Sequence, residues 1–227
     1  MTVKAFKGRI ASGLKSRLLD TVLSEVRRLP PRQVVSPLIA CLCDADDLVK
    51  WHAVSALGAV VAELAGEEME AARNIMRRLM WSLNDESGSV GWGAPEAMAE
   101  IMANQEGLAE EFAHILVAYM REDGLYLEFP PLQRGLMWGV GRLAGVRPDL
   151  LRKWAAPACL LPYLDSKDPD VRGLAARALG ILRAEGAKMR LAALRNDSSP
   201  VLLYEQGRVE IRTVGELAGK ALHHDPD

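Results

Sequence analysis

Apolar and small residues recur along the chain with the spacing of amphipathic helices, and the same order of segments returns about every forty residues. Residues 159–182, CLLPYLDSKDPDVRGLAARALGIL, contain an apolar helix, then an acidic turn with a proline, then a second helix rich in alanine and leucine. Residues 38–60, LIACLCDADDLVKWHAVSALGAV, repeat this order. The pattern predicts a chain of repeated helical hairpins.

A fixed register relates five such repeats. The apolar residue that opens the second helix of each repeat recurs at spacings of 41, 42, 39 and 40 residues, at Val49, Val90, Leu132, Val171 and Ile211. A small residue stands nine positions later in the first four repeats, at Gly58, Ala99, Gly141 and Gly180, and eight positions later in the last, at Gly219. Small residues let two helices approach closely, so the pattern predicts a solenoid in which each repeat buries its apolar face against its neighbours.

The period of the apolar residues, together with the residues that start and stop helices, predicts the helix limits. The first helices of the repeats are predicted at about 33–43, 67–83, 107–121, 148–163 and 187–195. The second helices are predicted at about 47–64, 94–104, 131–145, 169–185 and 213–223. A further helix, about 14–29, is expected before them and ends ahead of Pro30 and Pro31.

The last repeat departs from the helical pattern. Residues 201–204 and 208–212 alternate and are rich in β-branched side chains on either side of Gln206 and Gly207, which predicts an inserted β-hairpin. Such a hairpin either caps the C-terminal end of the solenoid or reaches across its inner face.

The segment DPDVRGLAARALGIL, residues 168–182, resembles the HEAT-like repeats, including the bacterial phycobilisome-lyase type, and its D-x-x-V-R match is specific. The resemblance implies an all-α fold, a right-handed α-α superhelix of about five helical hairpins, here with the small β-hairpin in the last repeat. One domain, 1–227, is expected: an N-terminal basic capping helix in 1–32, five repeats in 33–222 and a tail at 223–227.

Charge is distributed unevenly along the chain. Residues 1–33 carry eight Lys or Arg against two acids, a net charge of +6, which leaves −8 for residues 34–227 out of the total of −2. Nucleic-acid binders usually show the opposite sign, so nucleic acid is not the expected partner. The basic side chains of the first helix form either the solvated face of a cap or a docking patch for an acidic partner: Lys15, Arg17, Arg27 and Arg28.

Other compositional features point to a soluble cytoplasmic protein. Three cysteines cannot all pair, which is typical of the reduced cytoplasm. The N-terminus lacks the apolar core of a secretory signal, and charges interrupt the apolar runs, so no membrane span is expected. The histidines and the Cys41-x-Cys43 pair lack metal-ligand spacing, so neither a metal nor a cofactor is expected.

The candidate binding residues fall in two columns of the repeat. In such solenoids the second helices line a concave surface that binds partners. The third residue of each unit, counted from the opening apolar residue, is Trp51, Trp92, Arg134, Gly173 or Thr213. One helical turn later, on the same face, stand Ser55, Glu96, Trp138, Arg177 and Leu217.

A partner-binding surface is therefore predicted from Trp51, Trp92, Glu96, Arg134, Trp138 and Arg177, with Tyr126 and Phe129 at its rim. The alternative is that the large rings fill the space between successive second helices. Pro95 fits the first helical turn and two glycines flank Trp92, so this ring is expected on a mobile, glycine-hinged loop at the mouth of the concave face.

Two functions remain open from the sequence. The first is a non-enzymatic scaffold or adaptor that binds a protein or peptide on the concave face, with no catalytic residue and no membrane contact. The second is a small-molecule or nucleic-acid site in the same groove. Its residue types resemble those of the HEAT-like DNA-repair glycosylases, in which Glu96 would take the place of the family's aspartate and stabilise positive charge on a modified base. The oligomeric state is left open.

Overall fold

The computed structural model describes residues 3–15, 18–84 and 91–223, and these are mostly helical with one two-stranded sheet near the C-terminus. The α-helices and strands, in chain order, are α1 Val3–Leu14, α2 Leu19–Val26, α3 Pro31–Cys41, α4 Asp47–Glu67, α5 Met69–Ser82, α6 Ala94–Asn104, α7 Glu106–Ala118, α8 Pro130–Val146, α9 Pro148–Lys153, α10 Ala156–Leu160, α11 Pro169–Ile181, α12 Lys188–Leu194, β1 Pro200–Glu205, β2 Arg208–Thr213 and α13 Val214–His223. Short 3-10 helices occupy Leu161–Asp165 and Glu185–Ala187.

The polypeptide groups into two compact units. The N-terminal unit comprises residues 1–108 and 204–209, and the C-terminal unit comprises residues 109–203 and 210–227. The tip of the β-hairpin therefore belongs to the N-terminal unit, whereas its base belongs to the C-terminal unit.

The second helices begin where the sequence predicts them, because capping residues fix their starts. Asp46 caps α4 by accepting a hydrogen bond from the Leu48 amide at 3.0 Å. Asp168 caps α11 in the same way, accepting from the Asp170 amide at 3.0 Å. Helices α6 and α8 begin instead with proline in the first turn, where its missing N–H leaves no hydrogen bond unmade.

Three predicted helices have different limits in the structure. The expected helix 14–29 is wrong, since α1 ends at Leu14 and α2 starts at Leu19. The expected helix 148–163 is interrupted at Ala155, whose φ is 57°. The expected helix 169–185 ends at Ile181, two residues before Arg183 turns to a φ of 52°. Apolar periodicity alone does not reveal these breaks, because it continues across them.

The structure describes part of the predicted basic N-terminal segment and part of the predicted C-terminal tail. Lys15, Arg27 and Arg28 are exposed, whereas Arg17 lies outside the described residues. At the C-terminus α13 extends through His223, the first residue of the expected tail, and residues 224–227 lie outside the description.

Helix α4 forms the centre of the N-terminal unit, and α3, α5 and α6 pack around it. Its mean hydropathy and its 21 residues make it apolar and long enough to cross a membrane by length and composition, which the sequence analysis overlooked. Most of its apolar window, 67%, is buried inside the protein. This burial is typical of a core helix.

Small residues bring helices together as the repeat register predicts, except in the last repeat. A Cβ added at Gly180 on α11 would lie 2.5 Å from the Cα of Ala221 on α13, and one at Gly58 on α4 would lie 2.6 Å from Cγ of Glu100 on α6. Among the described residues, a Cβ built at Gly219 meets no atom of another helix within 4 Å. The close approach predicted at Gly219 is therefore wrong, and at the other two positions it is confirmed.

The base of the β-hairpin packs on α11 in the C-terminal unit. Val201 lies against Gly173, where an added Cβ would come within 2.6 Å of Val201 Cγ2. The Leu202 amide donates to Asp170 Oδ1 at 2.7 Å. The tip belongs to the N-terminal unit, where Tyr204 stacks on Trp51 of α4.

An ion pair at the start of α11 gives the C-terminal unit a dependence on acid. Arg172 Nε donates to Asp197 Oδ2 at 2.7 Å, and this pairing lowers the pKa of Asp197 from 3.8 to about 2. Because the folded-state pKa lies below the unfolded value, the stabilisation is present above about pH 4 and is lost as the pH falls towards 2.

We expect the Asp197→Asn variant to lose about 1–2 kcal/mol of unfolding free energy at pH 7, since a charge-assisted hydrogen bond is weakened. Urea unfolding at a series of pH values measures this. The difference between wild type and variant is expected to shrink between pH 4 and pH 2. A difference that stays constant over that interval would show that the carboxylate does not provide the stabilisation.

Candidate functional site

Trp51 is a packing residue that supports the hairpin tip. It is buried on α4, and its ring stacks on Tyr204 with 4.9 Å between centroids and 8° between planes. The Tyr204 hydroxyl lies 2.8 Å from Ser55 Oγ, and burial raises the pKa of Tyr204 to about 12. The expectation that Trp51 is displayed for a partner is wrong, because the hairpin covers its ring.

His52 on α4 contacts the end of α1 and the turn of the β-hairpin. Its Nδ1 lies 2.8 Å from the Leu14 carbonyl oxygen at the end of α1, and its Nε2 lies 3.4 Å from the Gly207 carbonyl oxygen in the hairpin turn. The ring is fully buried. A buried imidazole that is used in this way organises the unit and is not available to a ligand.

Glu96 is a buried carboxylate on α6. It lies in the first turn of α6, where the helix dipole favours a carboxylate, and its side chain is only 3% exposed. Oε1 lies 2.8 Å from Lys50 Nζ on α4, whereas Oε2 is buried and has no hydrogen-bond partner among the described residues. One of the two carboxylate oxygens is therefore paired and the other is not.

The ammonium of Lys50 lies between a carboxylate and an aromatic ring. Its Nζ is 5.0 Å from the centroid of Trp51, within the range of a cation–π attraction. The Lys50 side chain is 22% exposed, so it forms the solvent edge of the pair with Glu96. Trp51 and Glu96 are thus brought together through Lys50.

Glu100 adds a second carboxylate one helical turn after Glu96. It is buried, and its Oε1 accepts a hydrogen bond from Asn104 Nδ2 at 2.9 Å. Its side chain lies over Gly58, where an added Cβ would come within 2.6 Å of Glu100 Cγ. The face of α6 towards α4 therefore carries two carboxylates, of which Glu96 pairs with Lys50.

Trp92 is the exposed aromatic residue at the start of α6. Its exposed fraction is 41%. The flanking glycines have φ angles of +64° at Gly91 and +73° at Gly93, which disfavour any residue with a Cβ. An added Cβ would lie 2.6 Å from the Ser82 carbonyl oxygen at Gly91 and 2.8 Å from Leu42 Cβ at Gly93.

These contacts explain the two glycines by packing. They are required because the backbone takes a left-handed turn while packed closely against α5 and the end of α3. Trp92 is therefore displayed from a closely packed turn, and the predicted mobility of the loop stays a prediction. The mobility predicted for residues 87–90 concerns a stretch outside the described residues.

Arg134 joins two helices of the C-terminal unit. Its Nη2 lies 2.6 Å from Asp168 Oδ2, its Nε lies 3.6 Å from Asp170 Oδ2, and the Asp168 carboxylate raises the pKa of Arg134. Asp168 is also the N-cap of α11. Arg134 thereby ties α8 to the start of α11.

The other predicted residues of the C-terminal unit differ in exposure. Trp138 is buried, which makes its predicted display wrong, and Arg177 is half-buried with Nη1 against Gly141. Phe129 is 44% exposed. Tyr126 is half-buried, and its hydroxyl accepts a hydrogen bond from Gln133 Nε2 at 3.1 Å.

A cleft of about 600 Å³ lies beside Tyr126 in the C-terminal unit. Its lining mixes apolar, aromatic and charged side chains and comprises Met120, Arg121, Glu122, Asp123, Tyr126, Gln133, Cys159, Pro162, Tyr163, Asp165 and Ser166. The Tyr163 hydroxyl donates to the Met120 carbonyl oxygen at 3.1 Å. Arg121 is paired with Asp123 at 2.7 Å. Several polar groups of the cleft thus form hydrogen bonds or ion pairs with other groups of its lining.

Lys50, Glu100 and Tyr204 are site residues that the sequence analysis missed. A signal existed for Lys50, which follows the opening valine of its repeat as Arg172 follows Val171 in the fourth repeat. Both cations pair with a carboxylate further along the chain, Lys50 with Glu96 and Arg172 with Asp197. Across residues 3–15, 18–84 and 91–223, no group of three or more His, Cys, Asp and Glu side chains is arranged to hold a metal ion.

Residues 130–182, from α8 to α11, match the model of the HEAT-like repeat family. An uncharacterized protein of Archaeoglobus fulgidus is 34% identical over 114 residues, which are 50% of this chain and 56% of that protein. The match thus spans little more than half the length of this relative. The phycobilisome-lyase type stays a prediction.

Solved structures of similar fold include designed armadillo repeat proteins and engineered proteins. A designed armadillo repeat protein in complex with the peptide (KR)4 is 19% identical, covers 95% of this chain and 98% of its own, and gives a TM-score of 0.54. An engineered protein is 17% identical, covers 96% of this chain and 95% of its own, and gives a TM-score of 0.53. At such low identity these likenesses concern the fold alone. Together with the mostly helical structure and its two-stranded hairpin near the C-terminus, they confirm the predicted repeat fold.

Proposed function

We propose that this protein is a non-enzymatic scaffold that binds a protein or an extended peptide, and that residues at the start of α6 form part of its binding surface. The observation that carries the proposal is the juxtaposition of exposed Trp92 with Glu96 four residues later, a buried carboxylate with one unpartnered oxygen. An aromatic anchor beside a desolvated charge is typical of binding hot spots.

The fold and the charge support this proposal. Helical repeat proteins commonly use extended surfaces built from successive repeats for binding. A structural neighbour, the designed armadillo repeat protein, is in complex with the peptide (KR)4. The net charge of −8 on residues 34–227 complements a basic partner. In the C-terminal unit, exposed Phe129 and half-buried Tyr126 are proposed as further contact residues.

The alternative of a glycosylase-like or nucleic-acid site gains no support from the geometry. That chemistry needs a carboxylate and an arginine directed at the ligand. Glu96 is paired with Lys50, and Arg134 is paired with Asp168. The acidic repeat region also opposes phosphate binding.

Selection from a displayed library of random dodecapeptides tests the proposed function. We expect peptides to be enriched and to lose at least about tenfold in affinity for the Trp92→Ala variant, because truncating an aromatic anchor costs about 2 kcal/mol. Fluorescence anisotropy with the enriched peptides measures the affinity. The thermal midpoint of the variant is expected to stay close to that of the wild type, since the ring is 41% exposed.

Trp154→Ala is the matched control, because this tryptophan is 38% exposed and lies in the C-terminal unit. It is expected to leave peptide affinity unchanged. Failure to enrich any peptide, or an equal loss in the two variants, would contradict the proposal.

A further inference from the structure

We infer that the partner contributes an arginine side chain, whose guanidinium takes the place of the Lys50 ammonium and pairs with both oxygens of Glu96. This inference rests on the proposed peptide-binding function and names the chemistry of the ligand.

Each oxygen of the Glu96 carboxylate can accept a hydrogen bond, but only one of the two has a donor in the described structure. Oε1 faces Lys50 Nζ at 2.8 Å, and Oε2 is buried without a hydrogen-bond partner in the described structure. A buried acceptor without a hydrogen-bond donor is energetically unfavourable. An ammonium acts as a point charge, whereas a guanidinium presents two parallel N–H groups that match both oxygens of a carboxylate. A bidentate donor therefore satisfies both oxygens of the Glu96 carboxylate.

Exchange of Lys50 for an incoming arginine keeps the buried charge balanced. Lys50 is the partly exposed member of the pair, and its four-carbon stem is flexible enough to move its ammonium into solvent. A buried carboxylate left without a cation is strongly unfavourable, but here one cation replaces another. The incoming group also reaches Oε2, which is enclosed while Lys50 is in place.

The surroundings of the pair favour a guanidinium over other groups. The Trp51 ring faces the position of the Lys50 ammonium at 5.0 Å, and its stack with Tyr204 holds the ring in a fixed orientation. Guanidinium groups stack on aromatic faces more readily than ammonium groups do. Exposed Trp92 lies at the same helix start and offers apolar surface to the stem of the side chain.

Three fluorescein-labelled octapeptides test the inference at one fixed ionic strength: (Arg-Ser)4, (Lys-Ser)4 and (citrulline-Ser)4. We expect (Arg-Ser)4 to bind about tenfold more tightly than (Lys-Ser)4, because one more charge-assisted hydrogen bond is made. Citrulline has the shape of arginine without its charge, so (citrulline-Ser)4 is expected to bind weakest. Fluorescence anisotropy gives the three affinities.

Two variants locate the effect at Glu96. Lys50→Arg supplies a guanidinium within the chain, so it is expected to raise the thermal midpoint and to lower (Arg-Ser)4 affinity at least about tenfold. Glu96→Gln is expected to abolish the preference for arginine over lysine, and circular dichroism checks that it is folded. Lys153→Arg is the matched control, because Lys153 also lies near a tryptophan and a glutamate, 5.6 Å from the Trp154 centroid and 3.9 Å from Glu110.

The outcomes separate the inference from the proposed function. A purely structural Lys50–Glu96 pair predicts that Lys50→Arg leaves peptide binding unchanged, and that result would overturn the inference. Equal affinity for the arginine and lysine peptides, with binding still lost in Trp92→Ala, overturns it as well and leaves the scaffold function intact. Enrichment only of peptides without arginine has the same meaning. When no random peptide is enriched at all, the proposed function fails.

Discussion

Replacing Trp51 by alanine is expected to lower the free energy of unfolding by about 3–5 kcal/mol, the usual cost of truncating a large aromatic residue in a core. The ring is 5% exposed and stacks on Tyr204, so its removal leaves a cavity between α4 and the hairpin tip. It also withdraws the support that places the Tyr204 hydroxyl 2.8 Å from Ser55. Guanidinium-induced unfolding followed by circular dichroism measures the loss.

Trp92→Ala is the control for this prediction, because Trp92 stands at the same position of the next repeat and is 41% exposed. Its stability cost is expected to stay below about 1 kcal/mol, as for most surface substitutions. The two tryptophans occupy one column of the repeat and yet differ in role. If Trp51→Ala were as mild as Trp92→Ala, the hairpin would not be packed on Trp51 in solution.

Replacing Lys50 by methionine is expected to cost about 3 kcal/mol, because it leaves the Glu96 carboxylate buried without a cation. The value lies at the lower end of the range for broken buried pairs, since Lys50 is 22% exposed and water can partly take its place. Thermal and urea unfolding measure the change.

The double variant Lys50→Met with Glu96→Leu is expected to regain most of the lost stability, since it removes the uncompensated charge as well. Arg121→Met provides a surface comparison, because Arg121 pairs with Asp123 at 2.7 Å while both side chains are at least half exposed. That change is expected to cost less than about 1 kcal/mol. A Lys50→Met cost as small as that of Arg121→Met would mean that Glu96 is not a desolvated charge.

The fold was predictable because its determinants are local and repeated. Asp46 and Asp168 belong to the residue types that favour helix N-caps, and both cap helices in the structure. Glycines at a fixed register mark where helices touch, as Gly58 and Gly180 do. Where a helix breaks for reasons of local backbone geometry, as at Ala155, the apolar pattern continues and gives no warning.

The candidate site was predictable only in part. Helical spacing correctly places Trp92 and Glu96 together at the start of α6. It does not show that Lys50 pairs with Glu96, although the Val-Arg pair of the fourth repeat was a usable signal. It also assigns Trp51, Trp92 and Trp138 one common role, whereas only Trp92 of the three is exposed.

The sequence by itself determined the helical repeat, its register and the position of the hairpin, because hydrophobic period, caps and turn residues act over a few positions along the chain. The tertiary structure alone decided which rings are covered and which charges are paired. Ser55 and Tyr204 are 149 residues apart, and His52 and Gly207 are 155 apart. The exposure of a side chain depends on what the rest of the chain packs against it, and a column of the repeat carries no information about a hairpin that distant.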